Sequence, residues 1–257
     1  MARKVIKANG DNPWGLRVTP YHQGLAGVTA EEVEHWAGPG LEEAKANFSR
    51  ISRDTSITQG GIVYRGGIKP FIFSTSLKTE AGKESGIPEL QGFHQVVHYQ
   101  TPSTSGGIAG CNTCGFETAG CSKACFAHGG QMGLPRGIVA QLSRTKLGLE
   151  HPGQFLGIGL AELRDQQRIA KSRGENLIYR WGGTNEGLVH LMQANEAFEE
   201  LDAHNVEYTK AQSRDKLPKN KLIVNPNPAK LTLVTSVTEN TTIPRMLQAS
   251  EDQGMAL

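Results

Sequence analysis

The chain has 257 residues, of which 20% are charged and 37% hydrophobic, and a formal net charge of +2 at pH 7. That length allows one large domain or two small ones, and the near-neutral balance removes any demand for a large basic nucleic-acid surface while leaving room for local patches. No apolar run approaches the roughly 20 residues that span a bilayer, and the basic start Met1–Lys7 is not followed by an apolar signal segment. A cytoplasmic protein with no membrane partner is expected, and in such a compartment thiols stay reduced.

In chain order, residues 1–60 read as an irregular N-terminal extension rich in Gly, Pro and Asn. One helix is predicted there, from Thr29 to about Ser52, broken at Gly38-Pro39-Gly40; Glu31 and Glu32 behind Thr29 suit a helix start. Short strands are predicted at Ile62–Tyr64 and Phe71–Ser74, and another over 94–100. A Pro/Ser/Gly loop then leads into four cysteines. Helices are predicted over 136–148 and from Gln154 to Ser172, with Gly174 closing the second. Leu177–Trp181 reads as a strand, Glu186–Leu201 as a helix, and Val206–Thr209, Leu222–Val224 and Leu231–Ser236 as strands.

Strand, helix and strand in short succession imply parallel pairing. The fold expected is therefore α/β: a partial or irregular (β/α) barrel-like core with a Gly-rich metal-binding loop. It forms a single domain over 1–257, with the core at 61–245, the cysteine loop at 106–130 and a polar tail at 246–257.

All four cysteines fall within 15 residues, spaced C-x2-C-x6-C-x3-C: Cys111, Cys114, Cys121 and Cys125. In a reducing compartment such clustering points to metal ligation. Gly110, Gly115 and Gly120 let the backbone fold tightly, and neighbouring amides then have sulfur to donate to. A [4Fe–4S] cluster takes four cysteines, and so does structural zinc; the spacing alone does not decide between them, and the cluster is the preferred reading with zinc as the alternative. His128 is read as a neighbour, not a ligand.

From Cys111 to about Thr241 the chain resembles a family of bacteriophage proteins, the gene 88 product family. The likeness rests on Cys121-Ser-Lys-Ala-Cys125-Phe-Ala, a following basic helix with Arg144, the segment Ile178-Tyr-Arg180-Trp-Gly-Gly-Thr184-Asn-Glu186, and Val206-Glu-Tyr208-Thr209-Lys210 followed by Leu217-Pro218-x-Asn220. It implies a phage-encoded iron–sulfur protein in the host cytoplasm and imports no activity, so whether the protein is an enzyme stays open. Thr184 departs from the family's acidic or Ser position. A more distant likeness is to radical S-adenosylmethionine barrels, through a cysteine cluster and a strand ending Gly182-Gly183-x-x-Glu186. That superfamily leaves one iron open, whereas four cysteines here fill every iron position.

In parallel α/β folds ligands bind at the C-terminal ends of the strands. Arg180, Thr184 and Glu186 follow one strand, Thr209 and Lys210 the next, and Glu239 the last. Arg180 and Lys210 suit a phosphate or carboxylate, making nucleic acid or a small phosphate-bearing ligand the expected partner; Glu186 and Glu239 suit acid or base work. The plainer roles are helix capping by Thr184, a dipole contact by Glu186 and solvated charge at Lys210. His94 and His98 share a face of one strand and read as a satisfied structural pair. Gly157-x-Gly159 lies inside a helix and is not a dinucleotide fingerprint.

Overall fold

The structure, a computed structural model, describes residues 20–67, 71–102, 108, 111–114, 119, 123, 125, 129–183, 195–209 and 231–235. Helices α1 (Pro20–Ala26), α2 (Ala30–Ala37) and α3 (Leu41–Asp54) come first. The Thr29 hydroxyl accepts from the Glu32 amide at 3.1 Å, capping α2 as its position suggested, and the chain reverses through Gly38–Gly40 before α3. Residues 20–60 are thus no irregular extension, since Tyr21, Leu25, Val33, Phe48 and Ile51 are part of the main core; residues 1–19 lie outside the described residues. Helix α1 escaped sequence reading because its seven residues are too few for a helical period to emerge.

Strands β1 (Ser56–Gln59) and β2 (Ile62–Arg65) form a separate antiparallel hairpin. Gly60 and Gly61 both take positive φ, 58° and 78°, as a two-residue hairpin turn of this hand requires. Among the described residues the main sheet has five strands in chain order: β3 (Phe73–Thr75), β4 (Phe93–His98), β5 (Asn176–Arg180), β6 (Ala203–Thr209) and β7 (Leu231–Thr235). β3 runs antiparallel to β4; β4 to β7 are parallel. Consecutive order resembles the winding of a barrel, but among the described residues β3 and β7 are not paired with each other, so the barrel-like expectation is corrected to an open mixed α/β sheet.

Helix α4 (Leu77–Glu84) follows β3, and α5 (Pro135–Glu150) and α6 (Pro152–Ser172) connect β4 to β5. Each of α5 and α6 has proline in its first turn, where the missing N–H costs nothing. No helix of the described residues is long and apolar enough to cross a membrane.

Register puts His94, Val96 and His98, Leu177 and Tyr179, and Asn205 and Glu207 on one face of the sheet, and all are buried. Helix α6 covers that face. Phe155 stacks edge-on to His98 with ring centres 5.3 Å apart, and Trp181 sits among Phe73, Phe155 and Phe198 at 4.6–5.8 Å. A Cβ at Gly159 would lie 2.4 Å from the Trp181 ring, and one at Gly157 would lie 2.3 Å from Trp36 Cβ and 2.7 Å from the Trp36 carbonyl carbon. The Gly157-x-Gly159 pair therefore lets α6 lie against α2 on one side and the sheet on the other.

The helix predicted over Glu186–Leu201 does not run through to its end. Asn195 is extended (φ −103°, ψ 111°), accepts from the Ala197 amide and opens a separate 3-10 turn, Glu196–Phe198. Its side-chain N–H also donates to the Val28 carbonyl at 3.2 Å, so tertiary contact fixes the break. The predicted strand Leu222–Val224 and the tail 246–257 lie outside the described residues.

Candidate metal centre and strand-end site

Three of the four cysteines, Cys111, Cys114 and Cys125, are described; Cys121 lies outside the described residues. Cys111 is buried against the apolar core, while Cys114 and Cys125 are half-buried. Segment 111–114 is stitched to the C-terminal end of β4. The Thr113 hydroxyl donates to the Thr101 carbonyl at 2.5 Å, and the Thr101 amide donates to the Thr145 hydroxyl on α5 at 3.0 Å. The Asn112 side chain accepts from the Cys114 amide at 2.8 Å, a local turn that holds the second thiol. One residue beyond the strand's His98-Tyr99, Gln100 accepts from the Tyr21 hydroxyl of α1 at 2.8 Å.

The interior beneath this loop is polar. Tyr21, His22, Gln100, Thr101, Asn112, Thr113, Gln141 and Thr145 are all buried. Buried polar groups cost free energy unless they are hydrogen-bonded, so such a concentration calls for a reason. Burial pushes the Cys111 thiol up to about 11. Without a cation, Cys111 is a protonated, unreactive thiol at neutral pH; a bound metal is the chemistry that makes it a thiolate. Soft thiol donors suit zinc or an iron–sulfur centre. Among the described residues, no three His, Cys, Asp or Glu side chains are gathered to hold a metal ion.

Of the strand-end candidates, Arg180 and Thr209 are described, while Thr184, Glu186, Lys210 and Glu239 lie outside the described residues. Arg180 ends β5 and Thr209 ends β6, paired in register with Thr235 of β7. Arg180 Nε lies 4.0 Å from the Glu207 carboxylate.

Glu207 escaped sequence reading. It is 2% exposed and accepts from the Trp181 amide at 2.5 Å and the Gly182 amide at 3.0 Å. A buried carboxylate that satisfies backbone donors past a strand end fixes where the following Gly-Gly segment starts. The available signal was parity: Ala203, Asn205 and Glu207 alternate toward the covered face, and a charge at such a position needs a partner. Gly183 then passes so close to β4 that a Cβ would lie 2.3 Å from the His98 carbonyl oxygen.

A second carboxylate works alike. Glu162 of α6 accepts from the Ile72 amide at 2.9 and 3.0 Å and the Phe73 amide at 2.8 Å, anchoring β3. Arg144, the basic residue of α5, donates to the Phe71 carbonyl at 2.9 Å and the Tyr99 carbonyl at 3.2 Å. Desolvation raises Glu162 to about 7 and lowers Arg144 to about 10. Arg144 therefore holds backbone in this fold.

His94 and His98 do share a face, but they serve different ends of the sheet. His94 Nε2 donates to the Gln166 side chain at 2.6 Å, and His98 Nδ1 donates to the Trp181 carbonyl at 2.7 Å. Four residues of strand separate them by about 13 Å, too far for one ion. His98 Nε2 is buried without a hydrogen-bond partner among the described residues, and desolvation lowers the ring to about 3, so it is neutral.

No family of known proteins, no curated protein and no solved structure matches this chain.

Proposed function

We propose that the chain is a phage-encoded iron–sulfur protein in which Cys111, Cys114, Cys121 and Cys125 hold one [4Fe–4S] cluster, with structural zinc as the reading that replaces it if iron is not found. The observation that carries the proposal is the anchoring of the segment that bears Cys111 and Cys114 onto the end of β4 through Thr113, Thr101 and Thr145. That anchoring supports a site near the strand ends, where parallel sheets present ligands. When bound, such a cluster supplies either a structural tie or a one-electron centre.

The protein's own groups do the rest. Thr113 and Asn112 fix the loop backbone, Tyr21 and Gln100 close the polar interior below it, and burial excludes water from Cys111. Arg180, with Thr184, Glu186, Thr209, Lys210 and Glu239, belongs to a mouth for nucleic acid or a phosphate-bearing ligand in this reading. Four thiolates leave no iron open, so a cofactor-cleaving radical enzyme is the weaker alternative.

Anaerobically purified protein is expected to be brown, to absorb near 400 nm, and to contain iron and sulfide in equal amounts. Cys121→Ser is expected to lose colour and solubility together. A colourless protein carrying stoichiometric zinc would turn the reading to a structural-zinc interaction protein. A Cys121→Ser protein with full iron content would remove that residue from the ligand set.

A further inference from the structure

We infer that the Thr101 hydroxyl is the hydrogen-bond donor that steadies the Cys111 sulfur when metal is bound, an inference that rests on the metal-centre reading above. Three threonines stitch the cysteine segment to β4 and α5, and they use their hydroxyls differently. Thr113 donates to the Thr101 carbonyl at 2.5 Å. Thr145 donates to the Gln141 carbonyl at 3.0 Å and accepts from the Thr101 amide at 3.0 Å. Thr101 thus engages its amide and its carbonyl, while its own hydroxyl oxygen is fully buried with no hydrogen-bond partner among the described residues. The whole residue is 6% exposed, so bulk water does not serve it.

A buried hydroxyl without a partner costs free energy, and one kept where three elements meet calls for an explanation. Cys111 is joined to this junction from two sides. Along the loop, Thr113 lies two residues further on and is bonded to Thr101. From α1, the Tyr21 hydroxyl lies within electrostatic reach of Cys111 and donates to Gln100, the residue before Thr101. Cys111 itself is 4% exposed against the apolar core. As a thiol it is a weak acceptor, but as a metal-bound thiolate it carries charge away from water and needs a donor. The neighbouring hydroxyls of Tyr21, Thr113 and Thr145 already donate elsewhere. Thr101 has a proton to give. Metal binding supplies what each group lacks, an acceptor for the hydroxyl and a donor for the sulfur. Such outer hydrogen bonds hold a ligand in place and set the potential of a centre. The Gln141 side-chain oxygen is buried without a donor as well, so a water joining it to Thr101 is the competing account.

The test compares Thr101→Val, which keeps the shape and removes the hydroxyl, with Thr101→Ser, which keeps the hydroxyl. Both are made in the full chain, purified anaerobically, and measured before and after stripping with EDTA. In the metal-loaded protein, Thr101→Val is expected to lower the thermal midpoint by about 5 °C and to release iron or zinc to EDTA about tenfold faster. In the stripped protein it should leave the midpoint unchanged or raise it, because a methyl replaces an unpaired hydroxyl. Thr101→Ser should match the parent in both states. If the metal is an iron–sulfur cluster, Thr101→Val should also shift the midpoint potential negative, since donation to sulfur favours the reduced form. A parent that binds neither iron nor zinc overturns the metal reading and this inference together. A parent that binds metal, with a loaded Thr101→Val that behaves identically, overturns this inference alone. Equal destabilisation of Thr101→Val in the loaded and stripped states overturns it too, and assigns the hydroxyl to a water shared with Gln141.

Discussion

The two sides of α6 and its neighbours are held by different physics. Between α2, α6 and the sheet, the interior is aromatic and aliphatic, with Gly159 backbone against the Trp181 indole and Gly157 backbone against that of Trp36. Between α1, α5 and the end of β4, the interior is hydroxyls and amides tied in series, with Cys111 at its edge. The first region is complete through shape. The second is made by hydrogen bonds that end on a cysteine loop, which is why a ligand is expected there and not in the aromatic region. Each prediction below should move one region and spare the other.

The largest effect is expected from the metal proposed for the cysteine loop. Removing it with a chelator should destabilise the fold by on the order of 5 kcal/mol, about 10–20 °C in midpoint, because the site does not exist in the unfolded chain. Hydrogen exchange should then rise over 99–102 and 111–114 and in the middle of α5, while α6 stays protected. Uniform loss of protection would show that the two regions are not separable.

Shape is tested next by Gly157→Ala. The new methyl would meet Trp36 backbone, which cannot move as a flexible side chain does. The expected cost is about 2–3 kcal/mol, even though alanine itself favours a helix by about 1 kcal/mol. Metal content should not change. A neutral or stabilising Gly157→Ala would mean that α2 does not lie so close.

How far this was legible beforehand differs between the regions in the same way. The elements of the aromatic side follow from local pattern: Gln154 to Ser172 carries its apolar stripe, and 94–100 and Leu177–Trp181 read as strands. What could not be read was partnership. Nothing local says that Gly157 faces Trp36, that Asn195 breaks a helix by bonding Val28, or that Glu207 closes the end of β5. Those are contacts between residues distant in sequence. The clustering of the four cysteines was visible because their spacing is local in sequence. The hydroxyl and amide chain beneath them was not, since Tyr21, Thr101 and Thr145 come from three separate elements.

The carboxylate on α6 gives a smaller, pH-dependent effect. Burial raises Glu162 to about 7 in the folded protein, above its unfolded value of 4.5. The folded state therefore holds its proton more tightly, and its contribution is full below pH 4.5 and lost as pH rises through about 7. The change across that window is on the order of 3 kcal/mol. Arg144 and Lys45 act on it in the opposite sense, as do the Ile72 and Phe73 amides. Glu162→Gln keeps an acceptor for those amides and removes the titration, so urea midpoints between pH 4.5 and 7 should flatten. His98 opposes this slope: with the folded ring lowered to about 3, its contribution is full above pH 6.5 and declines as pH falls. If Glu162→Gln leaves the profile unchanged, the anchored carboxylate is ionised at all these pH values.

The smallest effect separates hydrogen bonding from packing most directly. Tyr21→Phe keeps the ring, which lies so close to α5 that a Cβ at Gly148 would come within 2.9 Å of it, and removes only the donor to Gln100. A lost buried hydrogen bond with its acceptor left in place costs about 1–2 kcal/mol. Replacing both members by apolar groups of similar shape costs less, because no unpaired acceptor stays behind. Tyr21→Phe/Gln100→Leu is therefore expected to recover part of the loss seen in Tyr21→Phe. Ile158→Val, in the aromatic region, should cost about 1 kcal/mol with no such rescue available. Urea titrations of the three variants, with iron or zinc content measured alongside, decide it. If Tyr21→Phe is neutral while Ile158→Val is costly, the interior below the cysteines is held by packing after all, and the contrast between the regions disappears.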